Sequence, residues 1–308
     1  MTAAAAAPPT WRVGAVTISA VVETTTALDP EFVRKHVVPE ATRDHLAGLP
    51  WLAPHWVDER GEPRMVTQAL VVRSRGRVIV VDTCIGNDKE RRNPAFHRLA
   101  TPFLADLAAV VDPAAVDVVL CTHLHFDHVG WNTRWDGARW VPTFPRARYL
   151  FARRELDHWS AIAGHGYVMS DSIRPVLDAG LVDLVEVDHV ITDEVALEPT
   201  PGHTPGHVSV RIRSGGESAL ITGDAIHHPC QVAHPAWGGP ADSDRGAAAE
   251  TRARLVHDAA RDGALVIGTH FAHPAAGRVV ADAGGAEGDP APPGHRLAPV
   301  FPNEDTPG

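Results

Sequence analysis

The chain is predicted to adopt a layered α/β fold, on three observations. Short runs rich in β-branched residues recur in both halves of the sequence. Stretches with helical spacing lie between several of them. Many of the runs stop at glycine or a polar residue, as buried strands do where they leave a sheet. Strand-rich halves with intervening helices are the pattern of sheets covered by helices.

Taken in order, Met1-Thr2 with five alanines and two prolines reads as a loose tail over residues 1–10. It lacks the basic residue and long apolar region of a secretory signal. Trp11 to Val22, Met65 to Val72 and Arg77 to Val81 read as strands, the last two joined by a Ser74-Arg75-Gly76 turn. Between them, residues 27–52 form a helical or irregular insertion, punctuated by Pro30, Pro39 and Pro50 and placed to cover a site. Phe96, Leu99, Phe103, Leu107 and Val110 give a helix over Phe96 to Val111, stopped by Asp112-Pro113.

Val116 to Cys121 is a short buried strand. Arg148 to Phe151 is another, leading to a helix from about Ala152, and Asp171 to Ala179 is a helix ended by Gly180. Strands follow at Val182 to Val187, Ala196 to Pro199, His207 to Ile212 and Ala219 to Ile221. A helix over Ala247 to Arg261 and the strand Leu265 to Ile267 complete the main body. One domain is expected over 11–281, followed by a Gly/Pro-rich segment, 282–308, with an edge strand at 296–301.

A chain of 308 residues buries a core without disulfide staples. Its 28 basic and 38 acidic residues give a net charge of -10, the wrong sign for a nucleic-acid partner. No apolar stretch reaches the length of a membrane span, and Cys84, Cys121 and Cys230 are too scattered for a disulfide framework. These features fit a soluble cytoplasmic protein without membrane or nucleic-acid partners; a homodimer is compatible with them.

The densest chemistry lies in Thr122-His123-Leu124-His125-Phe126-Asp127-His128, directly after the Val116 strand. In an extended backbone, residues two apart share a face, so His123 and His125 converge on one ion, and Asp127 continues that face. Once the chain turns, Asp127 and His128 address a second point about 3.5–4 Å away, the separation of a two-metal site. Imidazole and carboxylate suit zinc first, with iron, manganese or cobalt also accepted.

Three further strand ends offer ligands. Pro199 to His207 is a tight Pro/Gly loop in which either His203 or His207 could serve. Leu220-Ile221-Thr222-Gly223-Asp224 ends in a carboxylate able to bridge two cations, and Leu265 to His270 ends in a histidine.

This order of motifs resembles the metallo-β-lactamase-fold metallohydrolases, over about Val13 to Val280. The resemblance implies an αββα sandwich of the metallo-β-lactamase type with two metal ions at one edge. It implies His123, His125 and His203 on the first ion, Asp127, His128 and His270 on the second, and Asp224 on both. It selects His203 over His207, which becomes a supporting or packing residue. Asp82 resembles the aspartate of the family's Asp-Thr-Gly turn beneath the metals.

The reaction implied is hydrolysis of a small molecule by a hydroxide bridging the two metals, with Asp127 or Asp224 relaying the proton. The pattern is most similar to N-acyl homoserine lactonases and methyl parathion hydrolase-like enzymes, which favours a lactone, ester or phosphotriester. The lactonases carry a tyrosine three positions after the bridging aspartate, where this chain has His227. That histidine, or His228, is a candidate donor to the substrate or leaving group. Trp131 and Trp135 are available to wall a pocket with Phe126, although core packing is the commoner role.

Competing readings are a thioesterase of the hydroxyacylglutathione hydrolase type, a mononuclear iron dioxygenase of the same fold and a non-catalytic metal-binding protein. A nuclease would need a basic track, and none is present.

Overall fold

The computed structural model describes residues 8–26, 28–282 and 294–303. Seven strands form the first sheet. Four of them, β1 (Thr10–Val13), β2 (Val16–Thr24), β3 (Thr67–Ser74) and β4 (Arg77–Val81), are antiparallel neighbours in chain order. The next, β5 (Val118–Leu120), lies parallel to β4. A separate ribbon, β6 (Thr133–Trp135) and β7 (Trp140–Pro142), precedes β8 (Arg148–Ala152) and β9 (Val182–Val185), which extend the sheet in parallel.

The second sheet runs in chain order: β10 (Val190–Thr192), β11 (Val195–Pro199), β12 (Val208–Ser214), β13 (Glu217–Ile221), β14 (Leu265–Ile267), β15 (Ala276–Ala281) and β16 (His295–Pro299). Only β13 and β14 pair in parallel.

Alternation along the strands explains the layering. Leu70, Val72 and Val81 of the first sheet share one core with Val210, Ile212 and Ile267 of the second. Their neighbours Ala69, Val71 and Val80 turn the other way, into a cluster with Phe103, Leu107 and Leu156. Those three belong to the helices Phe103–Val110 and Arg153–Ala161. Behind the second sheet, Leu220 packs with Leu255 of the helix Arg245–Asp262. Period-two strands buried on both faces thus give helix, sheet, sheet, helix, the expected sandwich.

Local chemistry sets several boundaries differently from the sequence reading. Trp11 to Val22 is a hairpin rather than one strand, because Gly14 turns at φ +55° where a Cβ would come within 2.4 Å of the Ser214 carbonyl oxygen. The helix expected over Phe96 to Val111 is divided. A 3₁₀ turn spans Pro94–Phe96 and the helix starts at Phe103, because Asn87 accepts from Thr101 N at 2.8 Å and holds the intervening stretch as a loop. The segment expected as a helix from Asp171 begins as a π turn, Met169–Ile173, and continues as a helix through Asp178.

Thr10 opens β1, so the loose tail expected through residue 10 does not extend that far; residues 1–7 lie outside the described residues. The strand expected at 296–301 occurs at His295–Pro299, paired antiparallel with β15. Residues 283–293 and 304–308 of the C-terminal segment are outside the described residues. Among the described residues, no helix is long and apolar enough to cross a membrane.

The insertion contains short helical turns. Pro30–Phe32 is capped by Asp29 and Arg43–Ala47 by Thr42. Its His36 carbonyl accepts from Ala241 N at 2.9 Å, and Phe32 meets Phe96 edge to face at 5.1 Å. Phe96 in turn lies 5.0 Å from Phe126, inside the histidine motif. The insertion therefore reaches the motif through a chain of aromatic contacts, one edge to face and one tilted.

A buried cation fixes the ribbon to this same end. Lys89 Nζ donates to Thr133 Oγ1 at 2.9 Å and to the Asp171 carbonyl at 3.0 Å, and sits 3.8 Å from the centre of the Trp140 ring. The Asp171 carboxylate accepts from Arg91 at 2.6 and 3.3 Å. Burial pulls the Lys89 ammonium from 10.5 down to about 7, against the opposing pull of Asp171. Between those two pH values the unfolded chain binds more protons than the folded one, so this residue's contribution to stability rises with pH. The unfolding free energy of the wild type, relative to Lys89→Met, is expected to increase between pH 7 and pH 10. Urea unfolding at both ends of that range measures it, and a constant difference contradicts the account.

Candidate metal centre

Strand direction gathers the polar residues at one edge of the sandwich. Because β4 and β5 are parallel, Asp82 and Thr122 leave the first sheet together, and Asp82 Oδ1 accepts from Thr122 N at 2.8 Å. Because β13 and β14 are parallel, Asp224 and His270 leave the second sheet at the same end. The His203 loop joins β11 to β12, and Val208 N donates to the Thr122 carbonyl at 3.0 Å, tying the two sheets at this edge. At Gly223, φ is +56° and a Cβ would lie 2.7 Å from His207 Nε2, so the turn carrying Asp224 needs glycine.

Two sets of donor atoms converge there. His125 Nδ1 lies 3.0 Å from His123 Nε2 and 2.9 Å from His203 Nε2. His128 Nε2 lies 3.2 Å from His270 Nε2, with Asp127 oxygens 4.0 and 3.8 Å from those two nitrogens. Nitrogens about 2.0–2.1 Å from one ion in a tetrahedron are about 3.3 Å apart, so both sets have the spacing of a shared cation.

Asp224 stands between the sets. Its Oδ2 is 3.7 Å from His123 Nε2, 3.4 Å from His203 Nε2 and 3.2 Å from His128 Nε2, while Oδ1 is 3.2 Å from His270 Nε2. Buried Oδ1 has no hydrogen-bond partner. A buried carboxylate oxygen without a donor, facing imidazoles on two sides, fits a divalent cation on each side.

The remaining nitrogens are anchored from behind. His128 Nδ1 is 2.8 Å from Asp82 Oδ2, His123 Nδ1 is 3.1 Å from Thr122 Oγ1, and His270 Nδ1 is 2.8 Å from the Val66 carbonyl. His203 Nδ1 is 3.1 Å from Asp242 Oδ1, whose partner oxygen accepts from Arg252 at 3.1 Å. Such partners fix ring orientation and ligand basicity.

Burial, reinforced by neighbouring imidazoles, holds His123 and His125 well below the ordinary histidine range, leaving their lone pairs free. Burial acts against Asp224 too, but His128 and His270 outweigh it and keep its carboxyl well below the usual range.

All seven candidate ligands, His123, His125, Asp127, His128, His203, Asp224 and His270, are thus at one edge. Of the two histidines in the Pro/Gly loop, His207 faces away from the donor sets. Burial pushes it down to about 3, and its neutral Nε2 accepts from Asp224 N at 3.0 Å. His227 reaches the site, with Nε2 3.3 Å from Asp224 Oδ2 and a buried Nδ1 that has no partner. His228 does not; its Nε2 pairs with the Trp56 carbonyl at 2.8 Å and holds the insertion. Trp131 is core, stacked on Phe103 and donating to Glu23 at 2.7 Å, and Trp135 is an exposed ribbon residue.

Two buried carboxylates escaped the sequence reading. One is Asp242, in a loop with no local motif. The other is Glu155, whose Oε1 accepts from Leu124 N at 3.2 Å and Trp159 Nε1 at 2.6 Å. Its Oε2 accepts from Thr204 Oγ1 at 2.8 Å and Gly206 N at 2.9 Å. Glu155 therefore locks the His203 loop to the histidine motif.

Residues 62–270 match the model of the metallo-beta-lactamase superfamily. The chain belongs to this superfamily. Among its curated members, the chain is 34% identical over 131 residues to the N-acyl homoserine lactonase AttM of Azorhizobium caulinodans, covering 38% of this chain and 44% of that protein. It is 33% identical over 117 residues to an N-acyl homoserine lactonase of Bacillus thuringiensis, covering 38% and 41%. The match thus spans under half the length of these curated relatives.

Superfamily structures resemble it over nearly the whole fold. The hydrolase AbOPH superposes with a TM-score of 0.73 at 23% identity, covering 97% of this chain and 99% of that one. AidC, described as a dizinc quorum-quenching lactonase, gives 0.72 at 19% identity, covering 94% and 96%.

Glu155→Gln places an amide where four donors converge. It is expected to cost about 2 kcal/mol in urea unfolding of the metal-free protein. Ion binding should weaken by at least about tenfold in a zinc titration, and unchanged affinity would remove Glu155 from this role.

Proposed function

We propose that this chain is a metal-dependent hydrolase that uses two divalent cations, zinc foremost, to cleave a lactone, ester or phosphotriester. The observation that carries the reading is the Asp224 carboxylate, with one oxygen toward His270 and the other within 3.7 Å of His123, His203 and His128. The lactonase relatives and the hydrolase and lactonase structures support it. We take residues 11–281 as the catalytic domain and 282–308 as a C-terminal segment. The three buried free cysteines support a reducing, cytoplasmic setting.

His123, His125 and His203 would hold the first cation, Asp127, His128 and His270 the second, and Asp224 both. Bound there, the pair would supply a Lewis acid for the scissile group and a water of lowered pKa. The protein's own contribution is placement and proton handling. Asp127, the more exposed of the two carboxylates, is positioned to take a proton from the attacking water and pass it on. His227 stands where the lactonases carry a tyrosine, and with Nε2 3.3 Å from Asp224 Oδ2 and no partner on Nδ1 it is the side chain we assign to proton exchange with substrate or leaving group. Phe126, partly exposed between His125 and Asp127 and packed on Phe96, offers an apolar surface beside the donor atoms that suits an uncharged ester or lactone.

Metal analysis of the purified protein should give about two ions per chain. Asp224→Asn and His123→Ala should reduce turnover to near the uncatalysed rate while the circular dichroism spectrum stays folded. Full activity in either sinks the assignment. A panel of lactones, aryl esters, thioesters and phosphotriesters, run with zinc-loaded and metal-free protein, identifies the substrate class; metal-independent turnover would overturn the mechanism. Turnover of thioesters alone would favour the thioesterase reading instead.

A further inference from the structure

One ligand ring is held differently from the rest. The other candidate imidazoles have their outward nitrogens on Asp82, Thr122, Asp242 or the Val66 carbonyl, whereas His125 turns Nδ1 inward and lies against an aromatic ring. That ring is Trp159, whose centre is 4.9 Å from that of His125 with the two planes tilted by 59°, so the indole packs against the imidazole at an angle. On its own flank, Trp159 stacks on His165 at 4.1 Å and 29°. Its indole N–H donates to Glu155 Oε1 at 2.6 Å, the carboxylate that also holds Leu124 and the His203 loop.

We propose that Trp159, backed by His165, is a positioning residue that sets the affinity of the first metal position, by holding the His125 ring in its inward orientation. A planar ring packed against an imidazole restricts its rotation as a hydrogen-bonded carboxylate does, but without raising the basicity of the ligating nitrogen. Through Glu155, the indole N–H also ties this restraint to the loop that carries His203, whose ring is itself oriented by Asp242. Burial holds His165 down at about 4, so the supporting ring is neutral and stacks without the cost of a buried charge. The histidines of the second position are not among the ring partners of Trp159 or His165 in the described residues. They are oriented by Asp82 and the Val66 carbonyl.

The inference rests on the dinuclear reading proposed above, and its test separates the two. Metal-free wild type, Trp159→Leu, Trp159→Phe and His165→Leu are titrated with zinc against a chromophoric chelator, and with cobalt followed by visible absorption. Wild type is expected to take two ions. In Trp159→Leu one of them should weaken by about tenfold or more, while the other stays within about twofold. Trp159→Phe keeps an aromatic ring and should recover much of the loss, and His165→Leu should fall between. Equal weakening of both ions, or no weakening, overturns the role of Trp159. A wild type that binds no ion overturns the dinuclear reading itself. Should Trp159→Leu fail to fold, Trp159→Phe and His165→Leu carry the same measurement.

Discussion

The structure depends on keeping a group of desolvated imidazoles and carboxylates close together at one edge of a sandwich. Left to themselves, such groups repel, compete for protons and draw in water. The fold opposes this with hydrogen bonds on the far side of the rings. Asp82, Thr122, Asp242 and the Val66 carbonyl each take the nitrogen that would otherwise turn a ring away. Convergence of the inner atoms is the result, and the parallel pairs β4–β5 and β13–β14 bring it about by sending their following residues out at the same edge.

The anchors themselves need anchoring. Asp242 is paired with Arg252, a fully buried cation on the long C-terminal helix that also donates to the Pro235 carbonyl. Glu155 sits at the start of the helix after β8 and accepts four hydrogen bonds, three from the two loops that meet beside His125 and His203 and one from Trp159 of its own helix. Helices on opposite outer layers therefore support the same edge, which explains why the polar interior reaches so far behind the donor atoms.

What could be read from the sequence follows from the range of the forces involved. The strand ends near Ile221 and Ile267 were legible because β-branched runs and their polar stops are local signals, as is the histidine motif, while the strand expected over Val116 to Cys121 is shorter, Val118–Leu120. Glu155 and Asp242 were not, since each acts on residues brought near only by folding and neither sits in a distinctive local pattern. The helix boundary at Phe103 was misplaced because apolar spacing continues upstream through Leu99, while a loop hydrogen bond from Thr101 to Asn87 decides the matter. His203 and His207 were equivalent by spacing alone. The family resemblance selects His203, and in the structure its ring faces Asp224 Oδ2 while His207 accepts from the Asp224 backbone N–H.

Neither half of the chain contains a complete set of the candidate donor atoms. His125 and His203 are 78 residues apart, and His128 and His270 are 142 apart, yet each pair is brought within about one hydrogen-bond length. On the proposed dinuclear reading, a chain emerging from its N-terminus would offer an ion only a partial grip at the histidine motif, and full coordination would wait until β14 has paired beside β13. An ion bound then would close two long loops at once and act as a staple between the two sheets.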